Sequence, residues 1–406
     1  MNTTYSQPWS LPRKDAIPKR RMLLLEIILV GGLLLLPLQA VKLSIAQPAH
    51  LWVLIALVVM LFYERPRLSG TELIAYAAFV YFTLALTFMQ DYTRIKEMDQ
   101  LVKFVLFYPA FYVVGKWLGW HFGDRSLPLA YGFLFIFLIF QYAAQALHIP
   151  VIYEEISFGQ GALHGTFKER NWLAVYFLLL SYVLLLKDRS NRGFLLFFGL
   201  NIVVMLLSGS KTTFIAAGIV FLLQSRLPLW IKILPVIIGA MFYLSIFSEE
   251  LTGDRLAVKL EEERGLAFTV SLDLLRANPF GYGLGFVEAF FSNTWIQVRG
   301  LGEGTNSVFS VPLDLWLIAG PFGFAMWLVI FAGVGNSATR VLAPIAALSL
   351  LNPLHQSELV YFFMGFLVSQ DKFQRLALQR ARKIAESINA TNEFSREYKH
   401  RAEKLP

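Results

Sequence analysis

The sequence predicts an all-α, polytopic integral membrane protein with about twelve transmembrane helices and one long, helical, outward-facing loop. Three observations lead there: 56% of 406 residues are hydrophobic, apolar runs recur along nearly the whole chain, and cations crowd its two ends. A mean hydropathy of +0.55 is too high for an ordinary soluble domain. Runs long enough to cross a hydrocarbon core of about 30 Å must satisfy their own backbone, which selects helices. The net charge of +8 is informative through its placement. Arg13, Lys14, Lys19, Arg20 and Arg21 precede the first run, and Arg375, Arg380, Arg382 and Lys383 follow the last. This positive-inside pattern assigns both termini to the cytoplasm and removes the case for nucleic-acid binding. The absence of cysteine excludes disulfides and thiolate chemistry.

Spans are expected at 22–41, 48–63, 72–89, 101–117, 127–147, 171–186, 193–207, 211–224, 229–247, 321–335, 340–351 and 357–370. The first carries Glu26 and runs into Val41-Lys42 without a small-residue cleavage site, so it reads as a retained anchor. The chain then divides into a basic N-terminus (1–21), nine helices (22–247), the long loop (248–320), three helices (321–370) and a basic cytoplasmic tail (371–406). Loops at Arg65 and Arg67, Lys116 to Arg125, Lys187 to Arg192 and Arg226 to Lys232 fall inside, as the charge rule requires. Segment 306–318 reads either as a span or as a helix in the outer interface. Trp52, Trp117, Trp120, Trp172, Trp230 and Trp327 lie near span ends, where interfacial aromatics belong. In the tail, Leu376, Ile384 and Ile388 are spaced for an amphipathic helix on the cytoplasmic leaflet, or for a solvated anchor.

Four polar segments face outward in this topology and are expected to converge: 148–170, the break at 208–211, the long loop, and 352–358. The first ends in Gly161 to Asn171, which brings His164, Lys168, Arg170 and Asn171 to a helix mouth. Glycines admit close backbone approach and cations suit an anion, although snorkelling cations in an interfacial loop look the same. Ser208-Gly209-Ser210-Lys211-Thr212-Thr213 interrupts an apolar stretch too long for one span. A lysine there needs protein, water or an anion beside it, so Lys211 is a site candidate, with a basic hairpin turn as the competing reading. The upstream glycine spacing of a P-loop is missing. Acidic residues outnumber basic ones in the long loop, so a phosphate site would rest on single cations among Arg255, Arg264, Arg276 and Arg299. Arg264 to Arg276 is apolar at helical spacing, and Asn278-Pro279-Phe280-Gly281-Tyr282-Gly283-Leu284-Gly285 is a helix stop followed by a glycine-rich turn.

The order of these motifs resembles the O-antigen ligase and O-antigen polymerase superfamily, GT-C-like membrane glycosyltransferases of bacteria. Gly165-Thr166-Phe167 to Asn171-Trp172-Leu173-Ala174 is similar to the family's helix entry, and Ser208-Gly209-Ser210-Lys211-Thr212 to its serine-arginine break, with lysine for arginine. Arg264 through Asn278-Pro279-Phe280-Gly281-Tyr282-Gly283 resembles the family's arginine, amphipathic helix and proline-glycine-glycine segment. Thr305-Asn306 to Gly320-Pro321-Phe322-Gly323 resembles its closing asparagine helix and paired glycines, so the likeness covers about residues 160 to 335. Ligases of the family commonly place a histidine before the asparagine matching Asn306. Thr305 stands there, which tilts the expectation from ligase towards polymerase.

The resemblance implies an inverting, metal-independent glycosyltransferase in the bacterial inner membrane, with its active site and long loop periplasmic. Its donor would be an undecaprenyl-diphosphate-linked glycan and its acceptor a glycan or lipid A-core, with a chain-length regulator as a further partner. Breaking a bond to a diphosphate calls for cations where charge develops, with Arg264 and Lys211 first and Arg170, Arg255, Arg276 and Arg299 behind them. Lys168, Asn171 and Asn306 are the expected substrate contacts. His164, Glu303 and His355 are the outward-facing candidates for proton acceptor. No His/Asp cluster has metal-ligand spacing, so neither catalytic metal nor cofactor is expected. The rivals are a transporter or flippase, which would favour internal repeats that the chain lacks, and a non-catalytic assembly subunit.

Overall fold

A computed structural model describes residues 19–39, 41, 47–64, 68–89, 95–122, 126–149, 162–167, 170–188, 190–225, 228, 230, 237, 241, 264–293 and 307–402. These form helices only: α1 (Lys19–Leu35), α2 (Pro48–Tyr63), α3 (Gly70–Met89), α4 (Ile95–Val102), α5 (Tyr108–His121), α6 (Ser126–Ala146), α7 (Arg170–Lys187), α8 (Asn191–Ser208) and α9 (Lys211–Gln224). After these come α10 (Arg264–Ala277), α11 (Phe286–Asn293), α12 (Val311–Met326), α13 (Thr339–Ser349) and α14 (Glu358–Ala402). A π-helical turn over Lys103–Phe107 joins α4 to α5, and another over Trp327–Phe331 extends α12.

Among the described residues six helices are long and apolar enough to cross a membrane: Gly70–Met89, Asp99–His121, Ser126–Ala146, Arg170–Lys187, Asn191–Ser208 and Val311–Phe331. Leu23–Leu35, Pro48–Tyr63, Lys211–Gln224 and Thr339–Ser349 are apolar but shorter. The span expected at 321–335 therefore begins ten residues earlier, at Val311, and takes in residues 311–318 of the segment left open at 306–318. The expected span at 229–247 lies almost wholly outside the described residues. The segment expected as a span at 357–370 is not among these helices; it continues into the tail without a break, since α14 runs for 45 residues, about 67 Å at the usual helical rise.

Local sequence sets several helix ends. Ser69 and Glu72 form a capping box at the start of α3, with Ser69 N donating to Glu72 Oε2 at 2.7 Å and Glu72 N to Ser69 Oγ at 3.2 Å. Gly209 takes a left-handed conformation (φ +64°), ending α8 and allowing Lys211 to open α9 two residues later.

Contacts between loops define two ends of the bundle. At the lower end Thr71 Oγ1 donates to Gly335 O (2.8 Å), Arg340 Nε to Leu223 O (3.1 Å), Gln374 Nε2 to Leu186 O (2.6 Å) and Arg375 Nη2 to Ser337 O (2.6 Å). At the upper end His50 meets Glu358 at 3.0 Å, Leu163 N donates to Leu207 O at 2.7 Å, and Leu284 N donates to Thr87 Oγ1 at 2.9 Å.

The centre is the crossing of α5 and α14. A Cβ on Gly115 or Gly119 would overlap the carbonyl of Phe362 or Phe366, and one on Gly365 would overlap the carbonyl of Tyr112. Small residues four apart thus bring two backbones into direct contact, where van der Waals packing holds helices together in lipid. Lys116, expected in a cytoplasmic loop, is instead buried inside α5. Its ammonium lies 2.7 Å from Glu72 Oε2. Trp52, Trp117 and Trp120 are also buried, and Trp52 Nε1 donates to Ile28 O at 3.0 Å.

Candidate functional site at the upper end

The glycine-rich turn expected near the site has a structural job. Pro321 has no N–H for the carbonyl of Leu317, and α12 breaks at Ala319 and Gly320 (φ +57°). Tyr282 N donates to that Leu317 carbonyl at 2.6 Å and Gly283 N to Ile318 O at 3.0 Å. A Cβ on Gly281 (φ +90°) would stand 2.7 Å from Gly320 N, so only glycine brings the turn close enough. The turn thus satisfies the backbone of a kink.

The four polar segments are tied together in pairs at the upper end. The first pair joins the 162–167 turn to the α8–α9 break. Gln141 and Gln145, one helical turn apart on α6, hold the 162–167 turn: Thr166 N donates to Gln141 Oε1 (2.7 Å), His164 N to Gln145 Oε1 (2.7 Å), and Gln145 Nε2 to Ala162 O (3.0 Å). The His164 ring is buried, with Nδ1 3.3 Å from Phe167 O. A carbonyl can only accept, so Nδ1 carries the hydrogen in that contact and Nε2 is the basic nitrogen. Arg170, the first described residue of α7, reaches over the break, where a Cβ on Gly209 would stand 3.4 Å from its Nη1. Lys211 opens α9, where a cation opposes the helix dipole while the exposed N–H groups favour an anion. Asn171 is half-buried beside Arg170.

The second pair joins the long loop to the turn before α14. Arg264 Nη1 donates to Leu351 O at 2.9 Å, and its guanidinium lies 5.3 Å from the Phe309 ring. The Asp314 carboxylate accepts from Ser307 Oγ (2.6 Å) and Val308 N (2.7 Å), and its Oδ2 lies 3.8 Å from His355 Nδ1. His355 and Asp314 are both fully buried, and burial pushes the His355 imidazole down to about 3. Helices α9 and α13 pack antiparallel and are tied at the lower end through Arg340, so Lys211 and Leu351, the partner of Arg264, lie at one end of the same helix pair.

Arg276 is not part of this group. It is exposed, paired with Asp273 at 2.8 Å, and twelve residues along α10 from Arg264, about 18 Å at the usual rise. Lys168, Arg255, Arg299, Glu303 and Asn306 lie outside the described residues.

Several polar groups were not legible as site residues. Asp314 sits inside an apolar run, which marks it as costly. His50 accepts the Gln47 N–H at Nδ1 (3.1 Å), so its Nε2 carries the hydrogen donated to Glu358. Lower down, the Glu72 carboxylate accepts from Lys116, Ser69, Asn336 Nδ2 (3.2 Å) and the Tyr112 hydroxyl. Among the described residues no three His, Asp or Glu side chains are grouped to hold a metal ion. Compared with protein-family models, curated proteins and solved structures, the chain gives no match.

Proposed function

We propose that the chain is a membrane glycosyltransferase that takes an undecaprenyl-diphosphate-linked oligosaccharide at the periplasmic face of the bacterial inner membrane and polymerises surface polysaccharide. Transfer onto lipid A-core is the variant reading. The observation that supports the proposal is that Arg264 is tied to the turn beside a buried histidine–carboxylate pair, while Lys211 and Arg170 stand at the same end of an apolar bundle. Guanidinium groups hold a diphosphate by paired hydrogen bonds and stabilise the charge that develops as it leaves. The donor enters laterally between helices, with its prenyl tail against apolar surface.

The test incubates purified protein with a short polyprenyl-diphosphate oligosaccharide, with and without lipid A-core and chelator, and reads products by mass. Ladders without added acceptor indicate a polymerase, transfer confined to lipid A-core a ligase, and no product with donor bound removes the reading. Replacing Arg264 by alanine is expected to lower turnover at least about a hundredfold, the usual loss when one charge-stabilising donor is removed. Full polymer output from normally expressed Arg264→Ala would count against the assignment.

One observation favours transport instead. Glu72 and Lys116 are buried charges within the bundle, and such groups commonly mark ion or substrate pathways. Uptake of a labelled lipid-linked sugar into vesicles, without transfer activity, would establish that reading.

A further inference from the structure

Two kinds of buried tyrosine occur in the bundle. Tyr176 and Tyr182 donate to backbone carbonyls, of Leu33 at 2.7 Å and of Val341 at 3.0 Å. Tyr76 and Tyr361 bury hydroxyls that make no hydrogen bond among the described residues. Phenylalanine would fill the same volume without an unsatisfied polar atom, and Phe362, Phe363 and Phe366 of the same α14 are buried in that way. Two oxygens kept at such a cost call for a role beyond packing.

Both hydroxyls lie in a file of polar groups that runs between the two ends of the bundle. At its top Glu358 accepts from His50. Glu358 and Tyr76 are each close enough to act on the charge of both Tyr108 and Tyr361, and half-buried Asp99 on that of Tyr108. Tyr108 stacks on Tyr361 at 4.6 Å. Directly above Tyr108 the chain is π-wound over Lys103–Phe107, a distortion common at functional sites. Tyr108, Tyr112 and Lys116 then follow at four-residue steps down one face of α5, a drop of about 12 Å. Glu72 and Tyr76 share a face of α3 by the same spacing. The Tyr112 hydroxyl donates to Glu72, which closes the file, and half-buried Ser69 and Asn336 lead from that carboxylate to the lower surface.

A hydroxyl both donates and accepts, as a proton relay requires, whereas a carbonyl only accepts and an ammonium only donates. The charges along the file also select a cation. Glu72 is balanced by Lys116 and Asp99 by Lys103, while Glu358 faces an imidazole whose Nδ1 accepts a hydrogen and which is therefore neutral. Among the described residues no three His, Asp or Glu side chains are grouped to hold a metal ion, so the cation that suits this file is the proton. We propose that the file conducts protons between the two faces of the membrane, with water bridging Tyr361, Tyr76 and Tyr112. A proton taken up by the Glu358 carboxylate moves on as each oxygen accepts one proton and releases another, and it leaves from the Glu72 carboxylate. No group changes oxidation state, and rotation of the hydroxyls resets the file. The activity needs no lipid-linked sugar and is separate from glycan transfer.

The test reconstitutes the full-length protein into vesicles that enclose a pH-sensitive dye, imposes a potassium diffusion potential with valinomycin, and reads acidification of the lumen with no glycan present. Wild type is expected to acidify the lumen faster than protein-free vesicles do. The double variant Tyr76→Phe with Tyr361→Phe is expected to fall to the protein-free rate while melting at or above the wild-type temperature, since it removes only two unpartnered oxygens. Tyr131→Phe is the control, because its hydroxyl is also buried without a partner but lies on α6, outside the file, so its flux should match wild type. Wild-type flux no faster than that of protein-free vesicles overturns the inference, and so does undiminished flux in the double variant. A loss of flux that comes with a fall in melting temperature, or that Tyr131→Phe shares, overturns it too, since the hydroxyls would then act on the fold and not on the proton.

Discussion

Substituting leucine for Gly365 is expected to abolish the folded monomer. The residue sits where α14 crosses α5, and even a methyl group there would overlap the Tyr112 carbonyl. Gly115 and Gly119 meet the Phe362 and Phe366 carbonyls in the same way from the opposite side. Overpacking among side chains typically costs about 1–3 kcal/mol because rotamers can yield. Backbone against backbone has no rotamer to change, so the helices must separate and the stacked Tyr108 and Tyr361 with them. The loss is expected to exceed about 4 kcal/mol, beyond the ordinary range of single substitutions. Gly132, Gly199 and Gly218 supply the control, since a Cβ on any of them meets nothing within 4 Å. Alanine at those positions should leave the melting temperature and the size-exclusion profile unchanged or slightly improved. Monodisperse Gly365→Leu protein melting with the wild type would mean that this crossing does not hold the bundle together.

The same crossing shows how far the sequence could be read. Hydropathy located the apolar helices α1 to α3 and α5 to α9 but not the short α4, because a bilayer imposes length and composition on each long helix separately. Four segments expected on one side do meet in pairs at one end of the bundle, since alternating helix direction alone dictates which loops share an end. What failed was partner identity. Lys116 read as a cytoplasmic loop cation because it lies at the end of an apolar run, a few residues ahead of His121, Asp124 and Arg125, and nothing local reveals that Glu72 waits across the bundle. The Ser69-Gly70-Thr71-Glu72 capping box was visible in principle, but it accounts for only part of what that carboxylate does. Asn278 to Gly285 read as a helix stop followed by a glycine-rich turn, and what that turn is for shows only beside the missing N–H of Pro321. Among the site candidates, Arg264 and His355 converge near one turn, whereas Arg276 does not, because a helix of known rise separates Arg276 from Arg264.

Removing one member of the Glu72–Lys116 pair is expected to damage the fold far more than removing both, and the two single variants should differ. Glu72→Gln leaves an ammonium in an apolar bundle with no carboxylate, a loss of about 3–5 kcal/mol for a broken buried pair. Lys116→Met is milder, because the carboxylate keeps Ser69 N and Oγ at 2.7 and 2.9 Å, Asn336 Nδ2 at 3.2 Å and the Tyr112 hydroxyl. The double variant should recover much of the stability, since a glutamine oxygen still accepts from Ser69 N and Oγ, its amide nitrogen can donate to the Tyr112 hydroxyl, and a methionine fills the lysine's volume. Melting temperatures of the four proteins in one detergent measure the coupling, and equal losses from the two single variants would refute the asymmetry. The double variant also decides between the two functional readings. If it folds and retains glycan transfer, the pair is a structural clamp between α3 and α5, and the transport reading loses the observation that favours it. If it folds but no longer moves or transfers the lipid-linked sugar, the charges themselves are required, and the working path of this protein runs through the bundle rather than across its upper end.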